Sequence, residues 1–323
     1  MRKVLKIGLP LLLVLLCIYS IVYIHTVRQI EGTLLCEYEQ EGQIRAELVS
    51  FPSLHKKVLH AEGYHSIWNV ALRNDEEFYC YGEQEQGGKK MLLRVALDGT
   101  VLSEMPAAKY YDFQLWDSDH LAVASGESSI LLLEPATGQT KLLAENTAEQ
   151  AFLRNYPSFF CKDNALVFAR DTDEAQRREN DEADTGWYLL ENGQERQLAV
   201  LPHTDWCGGF VADRTLLFYS DTTAEAYRLS VDTLAQTPAF AVRKHGSMEK
   251  GTEFYQLPED TYCIGYNLSS NVISSALSLS TRRIYNMETG RSLAATPLLV
   301  CMMGKNWNGP GTRISPVPND MDN

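Results

Sequence analysis

The chain has 323 residues, of which 45% are hydrophobic and 22% are charged. These fractions are those of a folded globular protein and exclude an intrinsically disordered chain. The formal net charge is −13, and four basic residues lie in the first 28 positions, so residues 29–323 carry 25 basic against 42 acidic residues, a net of −17. Such a surface repels phosphate backbones, and we therefore expect no nucleic-acid partner.

An uncharged apolar run lies near the N-terminus, from Ile7 to Ile24. At about 1.5 Å per residue, a helix of this length reaches roughly 27 Å and crosses a bilayer core of about 30 Å with help from flanking side chains. Arg2, Lys3 and Lys6 precede the run. By the positive-inside rule they place the N-terminus in the cytoplasm. We predict a single-pass signal anchor in the cell membrane, with an extracytoplasmic main domain.

A cleavable signal peptide is the alternative interpretation of this run. Its apolar core is usually about 7–15 residues long and ends at small residues of the A-x-A type. Here the run continues into Tyr23-Ile24-His25-Thr26-Val27, which contains no such site. An uncleaved anchor is therefore favoured.

Short apolar runs separated by turn residues recur along the rest of the chain. The clearest stretch is His120 to Glu145, where Leu121–Ala124, Ile130–Leu133 and Lys141–Ala144 are separated by turns too short to hold a helix. Strands joined by such turns run antiparallel. Similar turns follow at intervals of 57, 39, 55, 40 and 57 residues, which are typical of four-stranded propeller blades with extra loop in the longer ones. The turn markers are Gly42, Gly99, Gly138, Gly193, Thr233 and Gly290.

Two of these turns are similar to a known blade motif, Asp-x-x-Thr-Gly-x-x-x-Trp of quinoprotein blades. They are Glu134-Pro-Ala-Thr137-Gly138-Gln-Thr-Lys-Leu142 and Asn286-Met-Glu-Thr289-Gly290-Arg-Ser-Leu-Ala294. Glu134 and Asn286 replace the Asp, and Leu142 and Ala294 replace the docking Trp. Over residues 32–302 the chain resembles the β-propeller superfamily, in particular blades of the quinoprotein-like and TolB-like kinds. The resemblance implies an architecture and brings no active-site residue with it.

The resemblance implies an all-β fold, a six- or seven-bladed β-propeller ectodomain after an N-terminal transmembrane helix, with β-sandwich domains as the alternative. Because propellers join both chain ends in one blade, we expect a strand near Leu34 to pair with one near Val300. The predicted segments are a cytoplasmic N-terminus (1–6), a transmembrane helix (7–24), a linker (25–31), a β-propeller-like domain (32–302) and a flexible C-terminal tail (303–323).

Six cysteines follow the apolar run, and two interpretations of them stay open. Their even number permits disulfides in an oxidising compartment, whereas several lie inside apolar strand-like runs, where buried free thiols are expected. No C-x-x-C pair occurs, so no zinc ribbon or thioredoxin-type site is predicted. The six are Cys36, Cys80, Cys161, Cys207, Cys263 and Cys301.

Motifs that carry chemistry are sparse. The sequence contains no G-x-S-x-G, P-loop, G-x-G-x-x-G or H-E-x-x-H motif. The charged insertion Asp171–Gly186 has Ala175 where a calcium loop needs its third carboxylate, so a solvated loop is favoured. We predict no metal site and no cofactor, and we assign no catalytic residue.

Two stretches mix aromatic and polar side chains just before an apolar second strand: Tyr110–Trp116 and His203–Gly209. In a propeller this is the position of the innermost strand of a blade and the loop that leads into it, beside the central channel. We expect ligand contacts there. The candidate ligand-binding residues are Tyr110, Tyr111, Asp112, Trp116, His203, Asp205 and Trp206.

Two functional hypotheses follow. The favoured one is a membrane-anchored, extracytoplasmic and non-catalytic recognition or assembly module for a protein or glycan ligand, because propellers present loops around a rigid rim. The alternative is an extracellular hydrolase or lyase that acts on a glycan or peptide at the channel mouth. It requires carboxylates such as Asp112, Asp117 and Asp205 to converge with His203 within about 10 Å of one another.

Overall fold

The structure, a computed structural model, describes most of the chain between residues 32 and 241 and several strands beyond. The described residues are 17, 21, 24–25, 28, 32–126, 128–148, 158–172, 184–202, 205–212, 214–220, 223, 225–241, 252–256, 262–267, 282–286, 292–294 and 313–316.

These residues form six four-stranded sheets in which neighbouring strands are antiparallel. Sheet 1 contains β1 (Gly32–Gln40), β2 (Gln43–Phe51), β3 (His55–Leu59) and β24 (Arg313–Pro316). Sheet 2 contains β4 (Ser66–Leu72), β5 (Glu77–Glu83), β6 (Met91–Ala96) and β7 (Val101–Pro106). Sheet 3 contains β8 (Tyr110–Leu115), β9 (Leu121–Ser125), β10 (Ser129–Glu134) and β11 (Gln139–Glu145).

The remaining three sheets follow the same order along the chain. Sheet 4 contains β12 (Phe159–Lys162), β13 (Ala165–Asp171), β14 (Thr185–Glu191) and β15 (Gln194–Leu201). Sheet 5 contains β16 (Asp205–Ala212), β17 (Thr215–Ser220), β18 (Glu225–Ser230) and β19 (Gln236–Ala241). Sheet 6 contains β20 (Thr252–Gln256), β21 (Tyr262–Asn267), β22 (Arg282–Asn286) and β23 (Ser292–Ala294).

In sheet 1 the strands are ordered β24-β1-β2-β3, so β24 takes the place of the first strand. The first strands of successive sheets contact one another: β4 with β8, β8 with β12, β12 with β16, β16 with β20, and β20 with β24. Sheets that meet through their first strands stand around a common axis, with those strands innermost. This is the arrangement of blades in a propeller. The prediction of an all-β propeller is confirmed.

The hydrophobic core is divided into layers between neighbouring sheets. In β5, Phe78 and Cys80 pack with Leu35 of sheet 1, whereas Tyr79 and Tyr81 pack with buried residues of sheet 3. Successive side chains of a strand point to opposite faces of the sheet. Because both faces are covered, the strand is a continuous apolar run rather than an alternating one.

The two ends of the sheets carry different connections. Within a blade the links from strand one to two and from strand three to four lie at one end, which we call the turn face. The links from strand two to three, and from each blade to the next, lie at the other end, which we call the loop face. At the turn face the longest link between described strands has five residues, as in 116–120, whereas at the loop face the described residues 84–90 make a link of seven.

The ring is closed by a strand from the C-terminal part of the chain, as predicted, but the partner segment differs. Leu34 of β1 pairs with Pro316 of β24, not with the neighbourhood of Val300, which lies outside the described residues. The prediction of a loose tail over 303–323 is therefore wrong for Arg313–Pro316. A Gly- and Pro-rich segment has little strand pattern of its own, and here the exposed edge of β1 supplies the pairing.

The N-terminal prediction falls mostly outside the described residues, which include only positions 17, 21 and 24 of the apolar run Ile7–Ile24. Within the described part of the chain, no helix combines the length and the apolar character needed to cross a bilayer. The membrane anchor stays a prediction.

Four of the six later cysteines are free thiols in the structure: Cys36, Cys80, Cys161 and Cys207. Burial, with the charge of Glu47 next in effect, raises the pKa of Cys36 to about 12. These thiols serve as small apolar core groups rather than as nucleophiles. The side chain of Cys263, on β21, and all of Cys301 lie outside what the structure describes.

Leu142 stands at the position of the docking Trp of the quinoprotein motif, and it is 49% exposed on β11. It does not dock one blade on the next. The first half of the motif is retained, since Thr137 Oγ1 donates to Glu134 Oε2 at 2.6 Å and the Gly138 amide donates to the Glu134 carbonyl at 2.8 Å. Gly138 has a φ of 71°, the left-handed conformation that favours glycine.

Candidate functional site

A cluster of tyrosines and lysines lies at the loop-face end of sheets 2 and 3. We call it the Lys90 patch, and its members are Tyr81, Lys90, Lys109, Tyr110 and Tyr111. Tyr81 lies near the loop-face end of β5, and Lys90 lies directly before β6. Lys109 directly precedes β8, whose first two residues are Tyr110 and Tyr111. Two of the predicted ligand-binding residues, Tyr110 and Tyr111, therefore belong to it.

A β-bulge sets the direction of the residues that begin β8. The pairing of β8 with β9 shifts register between Tyr110 and Phe113, so that Tyr111 and Asp112 lie at the bulge. A bulge bends the strand and re-aims its side chains. As a result Tyr110 is fully buried, whereas the neighbouring Tyr111 is 39% exposed.

Lys90 connects the two sheets at this point. Its Nζ donates a hydrogen bond to the Tyr110 carbonyl. The same atom lies 4.6 Å from the centroid of the Tyr81 ring and 5.7 Å from that of Tyr111. The Lys109 Nζ lies 5.0 Å from the Tyr110 ring centroid. Ammonium groups at these distances are attracted by the electron-rich faces of the rings.

Burial dominates the electrostatics of the Lys90 patch. It lowers the pKa of Lys90, and the negative charge of Asp112 partly opposes this effect. It raises the pKa of Tyr81 far above the usual range, with Asp112 adding to the rise. Both tyrosine hydroxyls that lie inside, those of Tyr81 and Tyr110, are buried without a hydrogen-bond partner among the described residues.

Asp112 lies just inside the Lys90 patch and is 7% exposed. Its Oδ1 accepts a hydrogen bond from the Phe113 amide at 2.9 Å. Its charge also contributes to the raised pKa of Cys161 on β12, after burial as the main cause. The carboxylate thus acts electrostatically on groups of sheets 2 and 4, from its own position in sheet 3.

Trp116 and Asp117 lie at the opposite end of β8, in the turn that leads to β9. Asp117 Oδ1 accepts from the Asp119 and His120 amides at 2.8 Å each, which is the bonding of a turn residue. Trp116 is partly buried against the core between sheets 3 and 4. Asp117 is five positions after Asp112 along β8 and the turn that follows it, roughly 16 Å at about 3.3 Å per residue. The structure therefore places Trp116 and Asp117 at the turn face, away from Tyr110, Tyr111 and Asp112.

The second predicted stretch begins the first strand of sheet 5. Asp205 and Trp206 are the first two residues of β16, which puts their backbone at the loop-face end of an inner strand. Their side chains and all of His203 lie outside the described residues. One whole blade, sheet 4, stands between β16 and β8.

Sequence reasoning missed Lys90 and Tyr81, although both stretches carried a signal. Lys90 closes Gly87-Gly88-Lys89-Lys90, a glycine turn with two cations, and Tyr81 belongs to an unusually aromatic strand. Neither signal indicates that the two residues meet β8, because that meeting depends on how the blades are arranged.

Polar side chains on inner strands also fasten each blade to the next. Asn69 Nδ2 on β4 donates to the Phe113 carbonyl on β8 at 3.3 Å. Gln114 on β8 donates through Nε2 to the Phe159 carbonyl and accepts through Oε1 from the Cys161 amide, both at 2.8 Å. These bonds satisfy backbone groups that would otherwise be buried unpaired.

A buried carboxylate begins this series of bonds. Glu37 on β1, 4% exposed, accepts from the Val70 amide through Oε1. Val70 lies at the register shift between Trp68 and Ala71, where the ladder offers its amide no regular partner. Sheets 1 to 4 are thus joined by side chain to backbone bonds at three successive interfaces.

At the turn face the charged groups form ion pairs that also cross between blades. Glu77 Oε2 is 2.7 Å from Arg94 Nε and 2.9 Å from Arg73 Nη1, and Arg73 Nη2 is 2.9 Å from Asp119 Oδ1 in sheet 3. Hydrogen bonding from Arg94 is the largest cause that lowers the pKa of Glu77. Among the described residues, no group of three or more His, Cys, Asp or Glu is placed to hold a metal ion.

No protein-family model and no curated protein sequence matches the chain. Solved structures do. TolB from Acinetobacter baumannii aligns with a TM-score of 0.50 and 12% identity over 81% of this chain and 62% of TolB. An oligogalacturonate lyase in complex with manganese aligns with a TM-score of 0.47 and 14% identity over 82% of this chain and 73% of the lyase. A chain of a nidogen/laminin complex aligns with a TM-score of 0.45 and 12% identity over 80% of this chain and 91% of that one.

At such identities the likeness extends to the fold alone. The ring of sheets, the layered core and the similarity to TolB together define the chain as a β-propeller protein, with TolB-like and oligogalacturonate lyase-like structural neighbours.

Proposed function

We propose that the chain is a membrane-anchored, extracytoplasmic β-propeller that acts as a non-catalytic recognition or assembly module and binds its ligand at the loop face. The observation that carries this proposal is the Lys90 patch, where the 39% exposed ring of Tyr111 lies beside an ammonium group held over tyrosine rings. Exposed aromatic rings next to a cation are common in binding surfaces.

The rigidity of the surroundings supports the same proposal. Tyr110 and Tyr111 of the patch lie on β8, an inner strand that is fastened to the neighbouring sheets by Asn69 and Gln114. A binding surface on a rigid scaffold loses little conformational entropy when it meets its partner. The anchor and the extracytoplasmic location rest on the apolar run Ile7–Ile24 and the basic residues before it.

A hydrolase or lyase is the competing class. Paired acid and base carboxylates of such enzymes lie within about 10 Å of each other. Asp112 and Asp117, two of the carboxylates named for that role, occupy opposite ends of β8. An activity that cleaves glycans or peptides would nevertheless overturn the recognition proposal, and it belongs in the test.

Site-directed crosslinking tests the proposal. Tyr111 is replaced by the photo-crosslinking amino acid p-benzoylphenylalanine, and intact cells are irradiated. A matched control carries the same replacement at Leu142, which is similarly exposed but lies on the outer strand of sheet 3. We expect a discrete adduct from position 111 and none from position 142. Equal adducts from both positions, or cleavage of a glycan or peptide panel by the purified protein, would contradict the proposal.

Protease shaving of intact cells tests the membrane orientation separately. An extracytoplasmic domain is digested together with a control surface protein. Survival of the bulk of the chain under these conditions would show that the orientation is the reverse.

A further inference from the structure

The Lys90 patch contains features that select the charge of a ligand. Two ammonium groups, those of Lys90 and Lys109, are held over tyrosine rings on adjacent parts of the loop face. Lys109 is exposed and Lys90 is partly exposed. Ammonium groups bind oxygen anions through short, charge-assisted hydrogen bonds.

The surroundings of Lys90 compensate its charge only in part. Burial lowers its pKa, and Asp112 opposes that change without reversing it. Its hydrogen bond among the described residues goes to a neutral group, the Tyr110 carbonyl. A carboxylate on the exposed side of Lys90 would add a second counter-charge to that of Asp112 and favour the protonated amine.

The exposed ring of Tyr111 provides a second contact next to the first. The Lys90 Nζ lies 5.7 Å from the Tyr111 ring centroid, so a carboxylate on Lys90 has an aromatic face within reach of the group that bears it. The last residue of a peptide offers this combination, because its carboxylate and its side chain are attached to the same carbon atom.

The charge of the whole chain discriminates between carboxylate ligands. Residues 29–323 carry 25 basic and 42 acidic residues, a net of −17. A polyanion, such as a chain of uronic acids, is repelled by such a surface, whereas a peptide with one terminal carboxylate and neutral or basic residues before it is not. We propose that the Lys90 patch binds the C-terminal carboxylate of a peptide, with the terminal side chain on Tyr111. This proposal rests on the recognition function above.

A pair of peptide mixtures tests this proposal on the full-length protein, purified in mild detergent and immobilised. Both contain fluorescent hexapeptides with randomised last two residues and neutral or basic residues before them, one as free acids and the other as C-terminal amides. We expect the free acids to be retained about tenfold more strongly, since charge-assisted hydrogen bonds are roughly twice as strong as neutral ones. The Lys90→Met variant should lose this preference.

Two variants separate binding from folding. Lys57→Met removes an exposed lysine of β3 in sheet 1 and should leave the preference unchanged. Lys109→Met changes an exposed side chain, so it reports on binding even if Lys90→Met fails to fold, and it should reduce the preference about threefold, as expected for a contact of several tenths of a kcal/mol.

The possible outcomes separate this inference from the proposed function. Equal retention of acids and amides, retention of neither, or a preference that survives Lys90→Met would overturn the carboxylate inference while the crosslink at position 111 still supports recognition. Retention of an acidic oligosaccharide in place of the peptides would overturn the choice of a peptide. Cleavage of the peptides would instead overturn the recognition function itself.

Discussion

The turn face and the loop face are two ends of the same sheets, yet they are built in different ways. Links at the turn face have at most five residues between the strands that the structure describes, and arginine–carboxylate pairs cross from blade to blade there. The described link 84–90 at the loop face has seven residues, and the exposed ring and ammonium groups lie at that end. Short links and ion pairs hold the blades in place, whereas long links vary in sequence at little cost to the fold.

The group of Arg214, Glu191 and Asp232 shows that ion pairs between blades recur at the turn face. Arg214, in sheet 5, binds Glu191 at the end of β14 in sheet 4 and also Asp232 in its own sheet. The first three-way group, Arg73 with Glu77 and Asp119, joins sheets 2 and 3 in a similar manner. We therefore expect substitutions at the turn face to affect stability and those at the loop face to affect binding.

The largest expected effect is that of Glu77→Ala at the turn face. Glu77 has a side-chain exposure of 16% and balances Arg73 and Arg94, which are 17% and 34% exposed. Its removal leaves two partly buried guanidinium groups without their shared anion, and we expect a loss of about 2–3 kcal/mol in the free energy of unfolding, below the range for fully buried pairs. Urea unfolding measures it. Asp75→Ala, an exposed residue of the same turn, is the control and should change stability by less than about 0.5 kcal/mol.

Gln114→Ala should cause the next largest loss in the free energy of unfolding. The variant leaves the Phe159 carbonyl and the Cys161 amide without their partner across the interface of sheets 3 and 4. Two unpaired backbone groups cost about 2 kcal/mol, with some relief where water enters. The midpoint of urea unfolding should fall without a change in slope. An unchanged midpoint would show that the interblade bond does not hold the two sheets in register.

A smaller effect is expected from pH. Arg94 and Arg73 lower the pKa of Glu77 in the folded state. The stabilisation that ionised Glu77 contributes is therefore fully present above its unfolded-state pKa of about 4.3, and it is lost as pH falls through its folded-state pKa. Wild type should therefore lose stability between about pH 5 and pH 3, and Glu77→Gln should lose about 1 kcal/mol less over that interval. Urea titrations at several pH values compare the two proteins. Parallel profiles would contradict the role of the ion pair.

The smallest stability effect is expected at the loop face. Tyr111→Ala removes a ring that is 39% exposed, and the free energy of unfolding should change by less than about 0.5 kcal/mol, while the retention of free-acid peptides falls. Unfolding and retention are measured on the same preparation. A large loss of stability together with unchanged binding would reverse the roles that we assign to the two faces.

Part of the candidate site could be predicted from sequence because its signals are local. Tyr110, Tyr111 and Asp112 form a polar and aromatic group directly before an apolar strand, which marks the beginning of an inner strand. Trp116 was grouped with them because it is close in sequence. Along an extended strand, however, closeness in sequence means distance in space, and Trp116 lies at the other face.

The sequence by itself determined the class of fold, since short apolar runs, glycine turns and their repeat interval are read along the chain without knowing which segments meet. It did not determine which segment closes the ring, because β24 is a four-residue strand whose pairing is set by the free edge of β1. Nor did it determine that Lys90 of sheet 2 lies against β8 of sheet 3. That contact joins residues of two different blades, and only the packing of one blade on the next brings them together.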